Sequence, residues 1–249
     1  MDFVKQVAEY CGWDGTKTPE NRKFLSDLKD ILRWDGNNYT KLNYRSFKSA
    51  LGSKVEPRNT EQKMLFDLLQ NRNIPIKLCL GRIGSGKSYL MLAHALNLIK
   101  KGEFDRIVFV KNNIQVKDTK DIGALPGEEL DKMMPWLKQI EDHVGPFTFE
   151  DMLNQNIIEP VHLGYMRGRD IKNSIIFCDE IENMTRQHIQ LLIGRVSSRS
   201  ELWLAGDLKQ TDGINFEKNS FLGSRGFEQK MCLPFANKLL IMAKTPPQN

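Results

Sequence analysis

Eight consecutive residues, Gly81-Arg82-Ile83-Gly84-Ser85-Gly86-Lys87-Ser88, have the types and the spacing to cradle a polyphosphate. Three glycines let backbone N–H groups converge on phosphate oxygens. Lys87 is then placed to reach the β- and γ-phosphates, and the Ser88 hydroxyl to ligate Mg²⁺. Tyr89 follows directly and completes the expected nucleotide contacts. A second group is Asp179-Glu180 at the end of a short apolar run. Asp179 can hold the Mg²⁺ shell, commonly through water, and Glu180 can orient and deprotonate an attacking water. The plain alternative is an acidic pair capping the next helix. A third is Gln210 in Gly206-Asp207-Leu208-Lys209-Gln210, an amide able to hydrogen-bond a γ-phosphate or the water without adding charge. Alone that stretch reads as a turn. Gln62, upstream of the glycine-rich loop, can read the N6 donor and N7 acceptor of adenine, or be an exposed helix glutamine.

These groups need elements that bring them together. Ile76–Leu80 is short, apolar and strand-like, and Tyr89–Lys101 is rich in Leu, Met and Ala and stopped by Gly102. Strand, loop and helix start form the context that a phosphate-binding loop requires. Pro57-Arg58-Asn59-Thr60 precedes a helix over Glu61–Asn71, capped by Asn59 or Thr60. Strands are expected at 106–110, 157–163, 174–178 and 201–205, with helices entered after Leu125-Pro126-Gly127 and over 185–196. The alternation predicts an α/β domain around a mostly parallel sheet flanked by helices, with ligands beyond the carboxyl ends of the strands.

Residues 1–56 read as a separate helical region, and 57–249 as the nucleotide-binding domain, with 216–249 unplaced. Phe3, Val4, Val7 and Ala8, then Phe24, Leu25, Leu28 and Leu32, recur at helical spacing. From Lys41 to Lys54, Lys41, Arg45, Lys48 and Lys54 interleave with Tyr44 and Phe47. That stretch reads as an amphipathic helix with a solvated face, or as a nucleic-acid contact.

The chain has 249 residues and a formal net charge of +5, enough to bury one substantial core and to permit, without demanding, a nucleic-acid partner. No apolar run is long enough to span a bilayer and no signal segment follows Met1, so a cytoplasmic protein with no membrane partner is expected. Four scattered cysteines and four histidines show no metal-ligand or disulfide spacing.

Taken together, these motifs resemble the PhoH-like ATPases, single-core relatives of superfamily 1 helicases. The resemblance rests on the phosphate loop, Leu125-Pro126-Gly127, Tyr165-Met166-Arg167-Gly168-Arg169, Asp179-Glu180-Ile181-Glu182-Asn183, Arg195 and Gly206-Asp207-Leu208-Lys209-Gln210, in order from about Asn59 to Asp212. It implies a RecA-like P-loop fold, ATP and Mg²⁺ as cofactors, and ATP hydrolysis coupled to nucleic acid, single-stranded RNA by analogy. It also implies that the 201–205 strand lies between those at 76–80 and 174–178. The chain departs from the pattern at Glu182, where Gln is usual, and at Lys111-Asn112 in place of Arg-Pro. Glu182 is therefore expected to point away from the γ-phosphate. No attached nuclease domain, and no nuclease activity, is expected.

With one core, an arginine finger must come from a neighbouring subunit or be absent. Arg167, Arg169, Arg195 and Arg199 are the candidates for a finger or phosphate contact, in a homo-oligomer such as a hexameric ring. Two other functions remain open: a nucleotide-gated binding module with weak hydrolysis, and a phosphotransferase acting on a small molecule.

Overall fold

The computed structural model describes residues 32–34, 39–111, 129–207 and 239–241. The chain divides into two compact units, Met1–Asn43 and Tyr44–Asn249. In the described part of the first, β1 (Leu32–Trp34) pairs antiparallel with β2 (Tyr39–Lys41). Strand therefore stands where Leu32 was expected to close a helix, and the helical reading of residues 1–31 lies outside the described residues.

The second unit begins at Tyr44, not at residue 57. Here the expected helix over 41–54 is corrected. Phe47–Lys48 (β3) and Lys54–Val55 (β4) form an antiparallel hairpin. It turns at Gly52, whose φ of +87° suits glycine and whose N–H donates to the Ser49 carbonyl at 3.0 Å. Tyr44 and Phe47 pack against Phe66, with ring centroids 6.1 and 5.4 Å apart, so these aromatics serve the core rather than a nucleic-acid face.

The α1 helix (Thr60–Gln70) is capped by Asn59, whose side chain accepts from the Gln62 N–H at 2.9 Å. Then come β5 (Ile76–Leu80), α2 (Lys87–Lys100), β6 (Arg106–Lys111), α3 (Glu129–Val144), α4 (Pro146–Asn154), β7 (Ile158–His162), a 3₁₀ turn at Leu163–Met166, β8 (Ser174–Cys178), a second at Ile181–Asn183, α5 (Arg186–Ile193), β9 (Glu201–Gly206) and β10 (Leu239–Ile241). The six strands β10-β5-β9-β8-β6-β7 form one sheet, each pair parallel.

The central strands are buried along their whole length, so they are apolar on both faces. Cys79, Phe109, Phe177 and Trp203 face a core shared with α1–α4, while Leu80, Val110, Cys178 and Leu204 face one shared with α5 and the 3₁₀ turns. Helices on both faces leave the carboxyl ends of β5, β9, β8 and β6 in a row along one edge of the sheet. Among the described residues no helix is long and apolar enough to cross a membrane.

Candidate functional site

The loop after β5 is tied to β9 at its first residue, because the Gly81 N–H donates to the Gly206 carbonyl at 3.0 Å. Gly84 and Gly86 hold φ of +76° and +82°. A Cβ at Gly86 would also lie 3.3 Å from Gln62 Nε2, so glycine there serves both the turn and a close approach. The α2 helix starts at Lys87 with no side-chain cap, which leaves its first N–H groups to a ligand anion. Lys87 and Ser88 are half-buried beneath the exposed Arg82 and Ile83. The Ser85 hydroxyl is buried with no partner.

Gln62 reaches the loop. Its Nε2 donates to the Ser85 carbonyl at 3.2 Å and its Oε1 accepts from the Arg58 N–H at 2.8 Å. Each end of the amide keeps capacity for one more hydrogen bond. Tyr89 is 54% exposed and lays its ring on His143 at the end of α3, 4.5 Å between centroids.

On β8, register pairs Cys178 with Leu204 of β9, as β5 pairs Leu80 with Gly206. Asp179 and Lys87 thus stand on tips two strand spacings apart, about 10 Å. Both act on the Cys79 thiol: burial pushes it up to about 12, Lys87 pulls it down and Asp179 pushes it up. Glu180 adopts φ 57° and ψ 43°, a left-handed conformation that disfavours a residue with a Cβ. Its N–H donates to Asp179 Oδ1 at 2.9 Å, and its carboxylate pairs with Lys111 Nζ at the end of β6.

Glu182 lies behind the tip of β9. It is 3% exposed and accepts from the Asp207 N–H at 3.0 Å. Asp207 Oδ2 in turn accepts from the Ile83 N–H at 3.1 Å, so two carboxylates link β8, β9 and the loop. Burial raises the Glu182 carboxyl from 4.5 to about 7. The folded chain then binds more protons than the unfolded chain between those values, and stability from this group falls as pH rises across that window. Glu182→Gln keeps the acceptor and removes the buried charge. It is expected to stabilise the fold at pH 8 by on the order of 2 kcal/mol and to change little at pH 4.5, read from urea unfolding at both.

Arg169 is paired with Glu159 on the edge strand β7, and Arg195 Nη1 donates to the Arg169 carbonyl at 3.0 Å. β7 lies four spacings, about 19 Å, from β5, so neither arginine reaches the phosphate loop of its own chain. Arg167 is exposed beside Gly168, and Arg199 holds a left-handed φ of 58°. Gln210 and Leu125-Pro126-Gly127 lie outside the described residues. Sequence reasoning did not assign roles to Lys111 or Asp207. The signal for Lys111 was a lysine closing an otherwise apolar strand, and for Asp207 its place at a third strand tip.

Ser88 and Asp179 offer hard oxygen donors, which fit a small divalent cation carried in on a polyphosphate. Such an ion needs one or two protein oxygens, and among the described residues no cluster of three or more His, Cys, Asp or Glu forms a separate cage.

An uncapped helix start behind a glycine-rich loop, with acidic residues two strands away in a parallel sheet, defines a RecA-like P-loop NTPase domain. The profile of the PhoH-like protein family matches residues 54–226, and the chain belongs to that family. It is 34% identical over 168 residues to "Protein PhoH2" of Bacillus subtilis, covering 64% of this chain and 37% of that protein. It is 27% identical over 176 residues to a "PhoH-like protein" of Synechocystis, covering 69% and 52%. A "Protein PhoH2" of Mycolicibacterium smegmatis is 29% identical over 161 residues, covering 63% and 37%. The chain thus matches about half or less of these relatives' own length.

Proposed function

We propose that the domain hydrolyses ATP with Mg²⁺ and couples turnover to single-stranded RNA. The observation that carries this reading is the placement of the Lys87 loop and the Asp179-Glu180 pair on tips of one parallel sheet, with β9 between them. Lys87 and the N–H groups of the loop hold the β- and γ-phosphates. Gln62, at the edge of the loop, reads the adenine. Mg²⁺, held by Ser88 and Asp179, would neutralise charge on the β- and γ-oxygens. Glu180 takes a proton from the attacking water as its oxygen bonds to the γ-phosphorus, the β–γ bridge breaks, and ADP and phosphate leave. Gln210, four positions after β9 in the sequence, is assigned the sensing of the γ-phosphate. A finger comes from a second copy in a homo-oligomer, a hexameric ring by analogy, with Arg167 and Arg199 the exposed candidates on this chain.

A second reading, a nucleotide-gated binding module with weak hydrolysis, is favoured by one observation: the Glu180 carboxylate is engaged by Lys111. Phosphate release from Mg-ATP, measured with and without single-stranded RNA, separates the two. Stimulation by RNA supports coupled hydrolysis; a flat, low rate with retained ATP binding supports the module. Light scattering at the assay concentration tests the oligomer, and a monomer with full ATPase at high dilution would remove it from the proposal.

A further inference from the structure

Lys111 closes β6 with its side chain 7% exposed, and its ammonium pairs with Glu180, whose side chain is 56% exposed. A buried ammonium needs a counter-ion. The sheet order β5-β9-β8-β6 puts Lys111 on the side of β8 away from the phosphate loop. The pair therefore draws the Glu180 carboxylate toward β6, whereas a water attacking a phosphate on β5 lies toward β9. It also occupies one oxygen of that carboxylate, Oε2, and offsets its charge.

If Glu180 turns toward the phosphate, Lys111 is left buried without its partner, so another anion must take the place of the carboxylate. The γ-phosphate does not fit that role: β5 and β6 are three spacings apart, about 14 Å. Among the described residues Glu180 is the acid paired with Lys111, and a replacement anion can come from a ligand at the tips of β6 and β7. Register pairs Lys111 with His162 there. Immediately beyond His162 stands Tyr165, 66% exposed, with its ring edge-on to His162 at 5.9 Å, followed by the exposed Arg167. The exposed Tyr165 offers a ring on which a base can stack, and the exposed Arg167 two residues on offers a cation for its phosphodiester.

We propose that Lys111 is a resting-state latch on Glu180, and that single-stranded nucleic acid seated on Tyr165 and Arg167 opens it by bringing a phosphodiester to Lys111. The latch deepens the proposed function and rests on Glu180 being the base. It makes Lys111 a positioning residue, acting on the water only through Glu180. It implies low turnover in the absence of nucleic acid with ATP binding retained.

The test is steady-state ATPase of the intact chain with and without a uridine oligonucleotide. Releasing a base worth 10² or more should let Lys111→Met raise the basal kcat about 5- to 20-fold, hold KM for ATP within about twofold, and bring the stimulation factor close to one. Lys111→Arg can keep the pair and should return the stimulation factor toward wild type. Tyr165→Ala should raise the oligonucleotide concentration for half-maximal stimulation about tenfold, the size expected for one lost stack. If Lys111→Met does not fold, Lys111→Gln, neutral and still able to hydrogen-bond, should move kcat the same way by less. A basal rate that is unchanged or lower, with stimulation intact, overturns the latch while leaving the ATPase reading standing. Full turnover in Glu180→Gln removes the base itself, and the latch falls with it. Equal stimulation by polyglutamate, undiminished in Tyr165→Ala, overturns nucleic acid as the opener.

Discussion

Glu180→Gln is expected to lower ATP turnover by about 100- to 1,000-fold while holding ATP affinity within about threefold. The substitution preserves shape and keeps an oxygen that can accept from Lys111 Nζ, so the β6–β8 contact survives. What it removes is the only negative charge on that side chain, and with it the capacity to accept a proton from water. Affinity should hold because the cradle lies elsewhere, in the loop after β5 and the uncapped start of α2. The contrasting variant is Lys87→Ala, which should weaken ATP binding and turnover together. Single-turnover phosphate release, with affinity measured separately on a non-hydrolysable analogue, gives both numbers. Turnover in Glu180→Gln above about a third of wild type would place the base elsewhere.

Much of this site was readable because its chemistry is local. A phosphate loop needs glycine where φ is positive and an uncapped helix start, and Gly84, Gly86 and Lys87 announce both within eight residues. The strands at 174–178 and 201–206 are apolar on both faces, so they stand out as runs. The place of the 201–206 strand between β5 and the 174–178 strand came from the family resemblance, since no periodicity encodes which strands pair. The hairpin at 47–55 is hidden in the sequence because Tyr44, Phe47 and the basic residues around them, Lys41, Arg45 and Lys48, fit a helical spacing. Leu51-Gly52-Ser53 was the overlooked turn. Lys111 and Asp207 were opaque for another reason. Each takes its role from a partner about 70 or more positions away in the chain, Glu180 in one case and Ile83 in the other. Only strand order brings those partners within reach.

The same dependence on strand order underlies the largest stability effect expected in this domain. Lys77 has no solvent exposure, and its ammonium pairs with Glu201 at the start of β9. That carboxylate also accepts from Trp203 Nε1 at 2.7 Å and from Arg72 Nη1 at 2.7 Å. Glu201→Ala strands a buried ammonium and a buried indole N–H at once, and should destabilise the fold by about 3–5 kcal/mol. Lys77→Met combined with Glu201→Gln should lose much less, because it removes the stranded charge and keeps an acceptor for Trp203. The pH dependence follows from Lys77, which burial pushes from 10.5 down to about 8 against the upward pull of Glu201. A base with a lowered folded value binds fewer protons in the folded chain, so stability from this group rises with pH between about 8 and 10.5. Losing Glu201 removes the upward pull and extends the window to lower pH, so the deficit of Glu201→Ala should shrink between pH 7 and pH 9.5 in urea unfolding. ATP affinity of the folded variant should stay near wild type, since Lys77 lies four residues, about 13 Å, back along β5 from Gly81. A deficit under about 1 kcal/mol that is also flat with pH would mean that Lys77 does not depend on this carboxylate.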